Sequence, residues 1–181
     1  MSEPAPTGRP GLLLVNTGDG KGKSTAALGL ALRAAGHGLR VVMLQFMKDP
    51  DTWHVGEWLA AEHLPSLTIE ALGEGFTWEH ETLEIDIAAA RHAWERCRAV
   101  LSDPSVDVAI IDELNYVIDY GFLDIDEVLP SILSRPRHQH VVVTGRNAHP
   151  RLVEAADTVT EMRKIKHAFD EGVPAIKGIE F

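Results

Sequence analysis

Short, continuously apolar runs alternate along the chain with segments whose apolar residues recur every three or four positions. That alternation is the pattern of a parallel sheet with crossover helices. Gly11–Asn16 reads as a strand buried on both faces, followed by a helix over Ser24–Ala35 that is rich in Ala and Leu and stopped by Gly36 and Gly38. Arg40–Phe46 is a second strand, and a weaker helix over Val55–His63 leads to a third strand at Leu67–Leu72. After the loop Gly73–Trp78, the longest helix spans Glu81–Ser102. Its residues Leu83, Ile87, Ala90, Trp94, Cys97 and Leu101 fall at alternating steps of four and three, one apolar stripe. Val106–Asp112 and His140–Thr144 are the fourth and fifth strands, and Asp157–Met162 is a candidate sixth. Between the fourth and fifth, Asp124–Ser134 reads as a helix in which Pro130 demands a late start or a kink. The tail 164–181 has no assignable pattern.

Composition narrows the class. A chain of 181 residues that is 45% apolar suits one core, so residues 11–181 are expected to form one domain behind a flexible arm at 1–10. That arm holds three prolines and lacks the basic-then-apolar pattern of a secretory signal, which points to a cytoplasmic protein. No run approaches the roughly 18 apolar residues of a membrane span. With 17 basic and 27 acidic residues the net charge is −10, which disfavours sequence-independent binding to nucleic acid. The single cysteine, Cys97, excludes an internal disulfide and reads as a small core residue. His37, His54, His138 and His149 are scattered in expected loops and read as surface or structural groups.

Chemistry concentrates in the loop between the first strand and the first helix, Thr17-Gly18-Asp19-Gly20-Lys21-Gly22-Lys23-Ser24-Thr25. Strand, glycine-rich turn and helix in that order form a phosphate cradle. The glycines let the backbone approach phosphate oxygens, and successive N–H groups and the helix N-terminus attract the anion. Lys23 adds a full charge, and the Ser24 hydroxyl suits Mg²⁺. The usual spacing wants glycine at position 17, where this chain has Thr17, so the curvature of the loop is expected to differ. The fourth strand delivers Asp112 and Glu113 to its carboxyl end, the edge where ligands of parallel sheets sit. These acids would hold Mg²⁺ directly or through water. Residue pattern alone stops at a P-loop nucleotide enzyme, with ATP the expected nucleotide.

Six stretches taken in order resemble one family, the P-loop type of ATP:corrinoid adenosyltransferase. They are TGDGKGKSTAALGLALRAAGHG at 17–38, VVMLQFMK at 41–48, GFTWE at 75–79, IIDELNY at 110–116, RPRHQHVVVTGRNAH at 135–149 and DTVTEMRKIKHAFDEGVPAIKGIEF at 157–181. The Thr17-Gly18 start of the loop belongs to that family's pattern. The resemblance implies a single-domain α/β P-loop NTPase fold of the RecA-like type, mostly parallel, with helices on both faces. It implies that a Co(I) corrinoid attacks the 5′ carbon of ATP and that triphosphate leaves, with Mg²⁺ or Mn²⁺ assisting. No general base is needed, because the nucleophile carries no proton.

The same resemblance assigns roles. Gly18, Asp19, Gly20, Lys21, Gly22, Lys23, Ser24 and Thr25 would bind the triphosphate, with Ser24, Asp112 and Glu113 around the metal. Arg33 and Arg146 match positions near the nucleotide. Phe76 and Trp78 would lie under the corrin ring and displace the lower axial ligand of cobalt; the alternative is that they merely plug the core beneath the loop. A homodimer and a flavin-dependent reductase are the implied partners. Asp19 stands where relatives often carry Asn, and is expected to point outward or toward the metal. The competing readings are a P-loop kinase or NTPase acting on another metabolite, and a nucleotide-binding regulator or corrinoid carrier without turnover.

Overall fold

The structure, a computed structural model, describes residues 10–48, 55–73 and 83–180. Six strands form one sheet: β1 Leu13–Thr17, β2 Val41–Gln45, β3 Leu67–Ala71, β4 Val108–Asp112, β5 His140–Thr144 and β6 Thr158–Glu161. The order is β3-β2-β4-β5-β1-β6, and every pairing is parallel. The expected α/β fold with a parallel sheet is therefore present. Strand β5 lies between the strand that leads into the phosphate loop and the strand that ends in Asp112.

The period-2 alternation of strand side chains sorts the core into two layers. Leu13, Val15, Val42, Leu44, Ala109, Ile111, Val141 and Val143 face one way, onto helices α3 (Leu83–Ser102), α4 (Leu114–Asp119), α5 (Ile125–Leu133) and α6 (Pro150–Ala155). Val41, Met43, Val108, Ile110 and Val142 face the other way, onto α1 (Lys23–Gly36). Helix α1 presents Ala27, Ala31 and Ala34 to the sheet, small residues one turn apart that allow close approach. Ala61 of α2 (Gly56–Ala61) and Leu64 beyond it extend this second layer.

From Ala90 onward the stripe on α3 is buried as its spacing predicts, with Ala90, Trp94 and Cys97 fully covered and Leu101 nearly so, while Ile87 is half-buried. Burial also drives the Cys97 thiol far above its ordinary pKa, which makes it inert. Two short helices, α4 and α6, were not legible as periodic patterns, since six residues hold fewer than two turns. Helix α5 begins at Ile125 without the late start expected from Pro130, because Asp124 caps it by accepting from the Asp126 N–H. Pro130 sits on its exposed side. The tail contains one 3₁₀ turn, Ala168–Glu171. Among the described residues, no helix is long and apolar enough to cross a membrane.

Candidate active site at the carboxyl edge of the sheet

The apolar strands each end in polar residues, and the parallel register brings those ends into a row. Gln45 of β2 pairs with Asp112 of β4, and Asn16 of β1 pairs with Thr144 of β5. The row borders a cavity of about 500 Å³ lined by the phosphate loop on one side and by Asp112, Glu113 and Arg146 on the other.

The phosphate loop is shaped by what replaces its missing first glycine. Thr17 closes β1 and accepts from the Ala148 N–H through Oγ1, at 3.2 Å, while its carbonyl accepts from the Met162 N–H at 2.8 Å. The turn is made one residue later by Gly18, at φ +93°. A Cβ there would lie 2.5 Å from the Met162 carbonyl oxygen. Gly20 donates to that same carbonyl at 2.6 Å, so the segment after β6 buttresses the loop from behind. The expected change of curvature at Thr17 is thus a one-residue displacement of the turn. Gly22, also at positive φ, starts α1 without a side-chain cap, which leaves the first-turn N–H groups pointing at the cavity.

Lys23 reaches back across the loop. Its Nζ donates to the carbonyls of Gly18 (2.8 Å) and Gly20 (2.7 Å). Burial lowers its pKa first and the Arg146 guanidinium second, opposed by Asp19, Glu113 and Asp112. Lys21 pairs with Glu180 of the tail. Asp19, Gly20, Ser24 and Thr25 also border the cavity. Arg33 lies elsewhere: it sits in the last turn of α1, ten residues beyond Lys23 or about 15 Å along the axis. Phe76 and Trp78 fall outside the described residues.

The acidic edge is buried and tightly hydrogen-bonded. Asp112 is 1% exposed. Its Oδ1 accepts from Thr144 Oγ1 at 2.6 Å, its Oδ2 faces Gln45 Nε2 at 3.4 Å, and the Ser24 hydroxyl reaches it from the phosphate loop. Desolvation raises its pKa, and those three donors pull it back. At Glu113 the chain takes φ +66°, a left-handed conformation costly for a residue with a side chain. The bend is fixed by the Glu113 N–H donating to Thr144 Oγ1 at 2.9 Å. It leaves Glu113 Oε2 buried with no hydrogen-bond partner among the described residues. Desolvation first and the Asp112 charge second push the Glu113 carboxyl up to about 7. Tyr116, one turn further on, lines the cavity and hydrogen-bonds Arg146; burial raises its phenol pKa.

Ser24, Asp112 and Glu113 offer hard oxygen ligands to one cavity, and the orphaned Glu113 oxygen is the atom a cation would satisfy. Among the described residues no group of three or more His, Cys, Asp or Glu gathers as a metal cage. A cation here would take its other ligands from phosphates and water, as Mg²⁺ does.

Thr144, Gln45 and Tyr116 escaped the sequence reading, as did the tail residues His167 and Glu180 at the cavity rim. The first two carried a usable signal: each is the polar last residue of an apolar strand, and such residues stand at the ligand edge. The tail carried none in its residue pattern, only its place in the family-like stretch 157–181.

A glycine loop between β1 and α1, facing a carboxylate pair on a nearby parallel strand, defines a P-loop nucleotide-binding protein. A more specific assignment comes from likeness to known proteins. The family model for ATP:corrinoid adenosyltransferase BtuR/CobO/CobP matches residues 9–181. The corrinoid adenosyltransferase of Pseudomonas aeruginosa is 48% identical over 94% of this chain and 84% of its own length. Those of Salmonella typhimurium and Escherichia coli are 44% identical over 94% of this chain and 86% of theirs. The chain belongs to the ATP:corrinoid adenosyltransferase family and is an enzyme of that type. Among solved structures, domain III of the Thermotoga maritima replication initiation protein DnaA aligns with a TM-score of 0.45, at 15% identity over 87% of this chain and 56% of that one.

Proposed function

We propose that this protein transfers the 5′-deoxyadenosyl group of ATP to the Co(I) centre of a corrinoid, as a step in making or salvaging adenosylcobalamin. The cobalt electron pair forms the Co–C5′ bond while the C5′–O bond breaks, and its electrons leave with triphosphate. No proton moves in that step, so the protein's task is alignment and neutralisation of the departing charge. The loop amides from Gly18 to Thr25, with Lys21 and Lys23, serve the triphosphate. Ser24, Asp112 and Glu113 would hold Mg²⁺ or Mn²⁺, whose charge would further neutralise it. Arg146, bonded to Tyr116 and close enough to depress the Lys23 pKa, borders the same cavity and suits the nucleotide. The observation that carries the reading is that the family match runs over residues 9–181, which include both the phosphate loop and the acidic edge.

Phe76 and Trp78 would sit below the corrin and remove its lower ligand, easing reduction of Co(II), since a donor ligand stabilises the higher oxidation state. A flavin-dependent reductase would supply the electron, a homodimer would be the working unit, and the cytoplasm the compartment. The roles of Phe76 and Trp78, the reductase and the homodimer rest on the family resemblance.

Incubation with ATP, Mg²⁺ and chemically prepared Co(I) corrinoid tests the reading. The cobalt–carbon chromophore and inorganic triphosphate should appear in equal amounts. ADP and phosphate with no alkylated cobalt would instead make it a kinase or NTPase. Replacing Phe76 and Trp78 by Ala should slow the reaction from Co(II) corrinoid plus reductant and spare the reaction from Co(I). Equal loss in both would reduce the pair to a structural role.

A further inference from the structure

Beside the acidic edge, helix α2 makes a polar contact with the cavity floor that phosphate and metal binding do not directly account for. Trp58 Nε1 donates to Gln45 Oε1 at 2.7 Å. Gln45 is fully buried, and its other amide atom, Nε2, faces Asp112 Oδ2 at 3.4 Å. An indole N–H can only donate. It therefore selects one of the two orientations of the Gln45 amide, the one that turns the NH₂ group toward the carboxylate. The opposite orientation would set a carbonyl oxygen against a buried anion. Gly56 and Glu57, just before Trp58, border the same cavity, so α2 joins its wall to the carboxylate on its floor.

We infer that Trp58 is a positioning residue for the metal-binding carboxylate: through Gln45 it fixes the direction in which Asp112 presents its oxygens to the metal of the metal–ATP complex. The inference rests on the proposed metal role of Asp112. Gln45 and Thr144 hold Asp112 from two sides, and Ser24 approaches from the phosphate loop. Loss of the indole N–H frees the amide to flip and loosens one of those constraints. Partners of metal ligands typically affect metal affinity by 10–100-fold. A long contact such as 3.4 Å places the effect at the lower end, about tenfold.

The test uses the full chain with ATP and Mn²⁺ and no corrinoid, reading free Mn²⁺ by electron paramagnetic resonance. Trp58→Phe keeps the aromatic bulk and removes the donor, and Gln45→Met removes the amide. Each should weaken Mn²⁺ binding in the presence of ATP by about tenfold. The double variant should lose no more than either alone, the signature of two residues acting in one chain. Binding of ATP in EDTA should be unchanged in Trp58→Phe. Asp112→Asn separates the two levels of the argument. If it leaves Mn²⁺ binding intact, the metal reading of the acidic edge fails. If it abolishes binding while Trp58→Phe and Gln45→Met retain wild-type affinity, the metal reading stands and the positioning role of Trp58 is overturned. Additive losses in the double variant would also overturn it, since the two side chains would then act separately.

Discussion

The two walls of the nucleotide cavity are built by opposite means. The phosphate loop takes its donors from one unbroken stretch of backbone, residues 18–25, and Gly18 is protected chiefly against gaining a Cβ, which the Met162 carbonyl would meet. The acidic wall takes its groups from three strands. Gln45 and Asp112 are 67 residues apart in sequence, and Asp112 and Thr144 are 32 apart. There the backbone is ordinary sheet up to Asp112, and side-chain atoms supply the specificity. A binding wall made of amides depends on chain conformation, whereas one made of carboxylates in a dry interior depends on each hydrogen-bond partner. The first is sensitive to added atoms and the second to removed ones.

The largest effect should come where a side chain carries the loop's function. Lys23→Ala removes the ammonium proposed to neutralise the leaving triphosphate, and turnover with ATP and Co(I) corrinoid should fall about 10²–10³-fold. Near-normal turnover would reduce the loop to its backbone amides alone.

On the acidic wall, the sharpest probe is the pH dependence of stability in metal-free, nucleotide-free buffer. The Glu113 carboxyl is raised from 4.5 to about 7 by burial and by Asp112. Below pH 4.5 both folded and unfolded chains carry the proton, and the shift contributes nothing. Between 4.5 and 7 the unfolded chain ionises while the folded one holds its proton, so stability declines, and above 7 the loss is constant. The total is about 3 kcal/mol. Glu113→Gln should therefore be more stable than wild type by a margin that grows from pH 5 to pH 8 in chemical denaturation. A margin independent of pH would mean that Glu113 is not desolvated.

A smaller effect should follow from Thr144→Val, which strips the hydroxyl from Asp112 Oδ1 and from the Glu113 N–H. Two buried polar groups lose a partner, at a cost of about 1–3 kcal/mol in thermal denaturation. Thr144→Ser should recover most of it. If valine were neutral, water would be serving both groups and the wall would be less dry than its burial implies.

The helix over α3 and the strands at β1, β2, β4 and β5 were legible because their apolar residues follow a period or run without interruption, and burial then followed. The phosphate loop was legible in its motif, and the acids in their place at the end of an apolar strand. Arg33 was named through the family resemblance, and helical rise carries it about 15 Å along the α1 axis from Lys23. Thr144 and Gln45 could have been suspected as strand-terminal polar residues, but their bonds to Asp112 depend on which strands become neighbours. That β5 enters between β1 and β4 is not written in any local pattern.

The amino-acid order by itself determined the strands and longer helices, the glycine-built phosphate cradle and the family, since each depends on residues near one another along the chain or on matched stretches. Only the tertiary structure decided how the two walls are held: in the phosphate loop, the Thr17 side chain braced by the Ala148 N–H and the loop backed by Met162; on the acidic wall, Asp112 between Thr144 and Gln45 with Trp58 behind. The reason is physical. Conformational preference acts over a few residues, whereas desolvation and hydrogen bonding act between whatever groups the sheet order brings within about 3 Å of each other.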